Sequence, residues 1–79
     1  MNLDDRRFLR QLGERIREAR QSRKLTQAAL ADACRLHRTF IGSVERGERN
    51  VSILNLRLIA RVLRVSLAEV MESHSPERP

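Results

Sequence analysis

Residues 25–47 read LTQAALADACRLHRTFIGSVERG, and this stretch decides the fold. Thr26 stands where a helix N-cap belongs, its hydroxyl placed to accept from the free N–H groups of a first turn. A short helix is therefore predicted over 27–33, with Leu30 and Ala31 inward. A second is predicted over 38–46, flanked by His37 and released through positive φ at Gly47. Only Cys34, Arg35, Leu36 and His37 separate the two. On the second helix Ile41 and Val44, with Phe40 beside them, point to a core, which turns Arg38, Thr39 and Ser43 outward.

Working outward, Asp4 or Asp5 is expected to cap a first helix that carries Phe8, Leu9, Leu12, Ile16 and Ala19 on one face and ends near Ser22. After the charged loop GERNV, Ser52 can cap a fourth helix, in which Leu56, Ile59, Ala60 and Leu63 recur at helical spacing. Ser66 with Glu69 three residues on matches a capping box for a last short helix bearing Leu67, Val70 and Met71. Asn-Gly and Asp-Gly pairs are absent, and so is period-2 alternation, so strands are not expected. The reading is an all-α, compact five-helix domain over 1–72, followed by a flexible tail over 73–79.

Composition narrows the partner. The 79 residues suit one small domain, and 16 Lys+Arg against 10 Asp+Glu give a formal charge of +6. Lys24 is the sole lysine, so the other 15 basic residues are arginines. That excess points to an anionic partner. With Phe8 and Phe40 the only aromatic residues, a surface that stacks unpaired bases is disfavoured and duplex DNA is favoured. Cys34 is alone, which excludes an internal disulfide, and with His37 and His74 it matches no usual metal spacing. No metal or cofactor is expected. Neither a membrane-length apolar run nor a secretory signal is visible, so a cytoplasmic location is expected. Ser, His and Asp occur in no context that marks a nucleophile, so no enzyme is expected.

Two short helices with a four-residue connection match a helix-turn-helix, in which the first helix lies across the DNA backbone and the second enters the major groove. Arg38 can then offer two parallel donors to guanine O6 and N7, and the Thr39 methyl can meet a thymine methyl. Through LTQAALADA, RTFIGSVERGERN and VSILNL the chain resembles the Cro and lambdoid-repressor type of helix-turn-helix, the Xre-like group, over roughly residues 8–71. The run HRTFIGSVERGERNVS is further similar to controller proteins of restriction-modification systems.

The resemblance implies roles at matching positions. Arg38, Thr39, Ser43 and Arg46 would form the base-reading face; Gln27, Arg49, Asn50 and Ser52 would meet phosphates, positioning the protein without specifying sequence. Glu45 would turn inward to pair with Arg20 as a structural tie. Where relatives often have glycine, this chain has Lys24 and Arg35, which would cost on the order of 1 kcal/mol each in a left-handed conformation. Phe40 replaces a frequent tyrosine and Gly42 sits in mid-helix.

Leu63, Val65, Leu67, Val70 and Met71 crowd more apolar surface near residue 70 than one short helix need bury. A dimer interface is expected there. The whole then reads as a homodimeric, sequence-specific transcriptional regulator on a palindromic operator, of the controller kind, with no small-molecule effector. A phage-type or general repressor is the sibling reading, and an antitoxin or protein-binding module the reading from a different class.

Overall fold

The structure is a computed structural model that describes residues 2–72; the tail expected over 73–79 lies outside them. Five helices follow in order: α1 (Leu3–Ser22), α2 (Gln27–Cys34), α3 (Arg38–Glu45), α4 (Ile53–Leu63) and α5 (Leu67–Met71). Strands are absent among the described residues. The helix starts are local chemistry. Thr26, Ser52 and Ser66 each accept from the backbone N–H three residues on, at 3.0–3.1 Å, and Glu69 returns the bond to the Ser66 N–H at 2.8 Å. α1 departs from expectation. Its cap is Asn2, whose Oδ1 accepts from the Asp5 N–H at 2.8 Å, so Asp4 and Asp5 lie in the first turn, where they complement the helix dipole.

The core joins all five helices through Leu9, Leu12, Ile16, Leu30, Ala31, Cys34, Ile41, Val44, Leu56, Ile59, Ala60, Leu63 and Val70. α2 and α3 pack on each other, α1 crosses α3, and α5 folds back against both α1 and α4. Two expectations need correction. Phe8 is exposed, because it lies at the edge of the Leu9, Leu12, Ile16 face in the first turns of α1, where fewer neighbours cover it. Leu63 and Val70 are buried within the monomer at 1% and 2% exposure, since α5 closes the core at that end; they are not surface residues awaiting a partner.

Two glycines set how α1 meets α3. A Cβ at Gly13 would overlap the carbonyl groups of Val44 and Glu45, so only glycine lets the two backbones come this close. Gly47, at φ +74°, turns the chain out of α3 directly against the backbone of Arg10. Lys24 and Arg35 do adopt left-handed conformations, at φ 59° and 57°, and Arg64 joins them at 59°. Arg23 ties this end together, its Nε donating to the Leu63 carbonyl at 2.7 Å and so satisfying an acceptor in the last turn of α4.

Candidate nucleic-acid interface

The interface is assembled around one buried carboxylate. Arg20, on α1, donates from Nε to Glu45 Oε2 at 2.6 Å and from Nη2 to Oε1 at 3.0 Å, while its Nη1 reaches the Leu25 carbonyl at 2.8 Å. Both side chains are withdrawn from solvent, yet no buried side-chain nitrogen or oxygen among the described residues lacks a partner. The hydrogen bond to Glu45 holds the Arg20 guanidinium above its ordinary pKa, against burial, which pulls it down. A raised value means that the charge-dependent stability from Arg20 is complete below its unfolded pKa and is lost only as pH rises through the folded one. Arg20 thus stays charged throughout the neutral range.

Gln27 completes the arrangement. As the first residue of α2 it is half-buried, and its Nε2 donates to Glu45 Oε1 at 3.0 Å. An amide nitrogen carries two hydrogens, so one remains to meet a phosphate oxygen beside the free N–H groups of the helix start. Gly42 lies beside these groups, and a Cβ there would stand 3.5 Å from Gln27 Oε1 and, more tightly, 3.2 Å from Arg46 Nη1.

Across the outer side of α3, Arg38 and Thr39 are exposed, and among the described residues their side chains make no hydrogen bond or ion pair. His37 occupies the N-cap without a side-chain capping bond. Ser43 is more constrained than expected: its hydroxyl donates to the Phe40 carbonyl at 2.7 Å, which leaves it an acceptor. A base amino group suits it better than a base carbonyl. Arg49 leans over the Phe40 ring, 5.2 Å from its centroid, with its Nε 3.5 Å from Ser43 Oγ, so Phe40 holds a loop arginine beside the reading face. Arg46 is exposed and pairs with Glu48 at 3.1 Å. Such a surface pair is worth little and leaves the guanidinium readily available to another partner. Asn50 and Ser52 are both exposed, though the Ser52 oxygen is already occupied in capping α4.

Sequence reasoning missed the link from Gln27 to Glu45 and the role of Gly13. A glycine in an otherwise strong helix former was the available signal for the latter. Burial pushes the Cys34 thiol pKa up, in keeping with a packing residue. Among the described residues no group of His, Cys, Asp and Glu could hold a metal ion, and no helix is long and apolar enough to cross a membrane.

Two short helices at a tight turn, with an outward polar face on the second and its base locked to the first helix, define a helix-turn-helix DNA-binding protein. The chain belongs to the helix-turn-helix family HTH_3, which matches residues 16–70. It is similar to control protein C.SmaI of Serratia marcescens, 43% identical over 60 residues that cover 76% of this chain and 71% of that protein. The fold is similar to the restriction-modification controller protein C.AhdI from Aeromonas hydrophila, with a TM-score of 0.76 at 40% identity, covering 78% of this chain and 94% of that one. It is also similar to C.Esp1396I in its nucleoprotein complex, with a TM-score of 0.71 at 32% identity over 85% of this chain and 96% of that one.

Proposed function

We propose that the chain is a homodimeric, cytoplasmic controller of a restriction-modification operon, acting by sequence-specific binding to a palindromic operator. The observation that carries the reading is the outward, unpaired Arg38 and Thr39 at the start of a helix whose far end is fixed by Glu45. Similarity to controller proteins supports the biological assignment over a general repressor. Arg38, Thr39, Ser43 and Arg46 read bases, while Gln27, Arg49, Asn50 and Ser52 position the backbone.

The dimer face is redrawn from the exposures. α4 is apolar on two sides: beside its core stripe it presents Ile53 and Leu54 at 56% and 70% exposure, with Leu58 and Val62 half-buried, and Val65 in the connection after it is half-buried too. Met71 on α5 is also exposed, and Leu67 is half-buried. A second copy covering this face is the partner that a palindromic operator requires, with its two half-sites one DNA turn, about 34 Å, apart.

Selection of duplexes from random sequence, followed by gel shifts, tests the reading. A palindromic consensus is expected, bound by two chains. Failure to enrich any sequence sinks the specific-reader claim, and sedimentation as a monomer at concentrations of tens of micromolar sinks the dimer.

A further inference from the structure

The first turns of α1 lie where the helix-turn-helix ends. Gly13 abuts the last carbonyls of α3, Gly47 abuts the backbone of Arg10, and Asp5, Phe8 and Leu9 line a shallow cavity together with Asn50. α1 therefore overhangs the loop from Arg46 to Ser52, the loop that flanks the reading helix. At about 100° per residue, Arg6 and Arg10 share a stripe with Gly13, the residue that touches α3. Both arginines are exposed, and among the described residues neither side chain forms an ion pair or hydrogen bond. The acidic groups nearby are otherwise placed. Glu48 holds Arg46 and Glu14 faces Arg17 at 3.7 Å, while at about 100° per residue Asp4 and Asp5 fall off the Arg6–Arg10 stripe, Asp5 on the side of the cavity it shares with Asn50.

From this geometry we infer that Arg6 and Arg10 form a second phosphate grip, outside the helix-turn-helix, on the duplex backbone that the 46–52 loop approaches. Both lie in the first half of α1, ahead of residue 16, where the family match begins. Its ligand is the sugar-phosphate backbone, not a base, because two guanidiniums on a helix lying above the loop can reach charge but not the groove floor. The inference rests on the DNA-binding reading and adds affinity to it, without adding specificity.

The test is the salt dependence of operator binding. Each lost phosphate contact flattens the slope of log K against log salt by about 0.9, so R6Q/R10Q should flatten it by about 1.8 per bound protomer while selecting the same operator. R6K/R10K should keep the wild-type slope, since charge is what the grip requires. R61Q/R64Q, which removes the same charge from the far end of α4, should leave the slope unchanged. A wild-type slope in R6Q/R10Q, an equal loss in R61Q/R64Q, or a failure of R6K/R10K to retain the slope overturns the inference. If the wild-type chain itself binds no duplex, the DNA-binding reading has failed instead.

Discussion

Gln27 and Glu45 are hydrogen-bonded at 3.0 Å, so the first residue of α2 is tied to the last residue of α3 through the same oxygen that receives Arg20 Nη2. One carboxylate thus fixes three helices. The packing of α2 and α3 is held by this group in addition to the apolar contacts beneath it.

Removing that carboxylate leaves a buried guanidinium without its partner. Glu45→Ala should therefore destabilise the fold by about 3–5 kcal/mol in urea unfolding. An apolar replacement of both partners, R20M/E45L, should recover most of the loss while weakening operator binding, because α3 is no longer held from behind. Equal stability of the single and double variants would contradict this account.

Arg38 and Gln27 should separate cleanly in binding. Arg38→Ala is expected to relax preference at one base pair with a loss of about 1–3 kcal/mol, whereas Gln27→Ala should weaken every duplex alike. Competition gel shifts over single-base operator variants measure the difference. Uniform effects from both changes would count against the division of roles.

The two helical glycines should respond in opposite directions. Gly13→Ala forces a methyl group into the carbonyls of Val44 and Glu45, backbone that cannot yield, and should cost about 1–3 kcal/mol. Gly42→Ala meets first the mobile end of exposed Arg46, so the gain in helix propensity, up to about 1 kcal/mol, should prevail. Thermal melts of the two variants decide it.

The capping box of α5 gives stability a dependence on acid. The Ser66 backbone N–H, and then its hydroxyl, hold the Glu69 carboxyl below the usual carboxylate range. A depressed folded value places its contribution above the unfolded pKa and removes it as pH falls through the folded one. Urea midpoints taken from neutral pH into the acid range should drop less steeply for Glu69→Gln than for the parent. Parallel curves would remove Glu69 from the explanation.

What the sequence revealed was local, and what it concealed depended on contacts distant along the chain. Thr26, Ser52 and the Ser66–Glu69 box mark helix starts because a cap and its acceptor lie within three residues. Lys24 and Arg35 were legible as left-handed positions by their place beside the motif, whereas Arg64 had no such marker. Whether Leu63 and Val70 face a partner or the core depends on α5 folding back over α1, a contact between residues some fifty positions apart. The exposure of Ile53 and Leu54 was hidden for the same reason, since an apolar residue in a helix does not announce which side another helix will cover. At the interface, outward Arg38 and Thr39 follow from helical periodicity, but the bond that turns Ser43 into an acceptor requires coordinates.

The three-way use of the Glu45 carboxylate has a mechanical consequence. In the proposed complex, a reading helix pinned through Glu45 to α1 and α2 would have little compliance of its own, so a duplex whose groove does not match would not be met by tilting α3. The bending and twisting must then come from the DNA, and stiff or flexible base steps that the protein never touches enter the affinity as elastic energy.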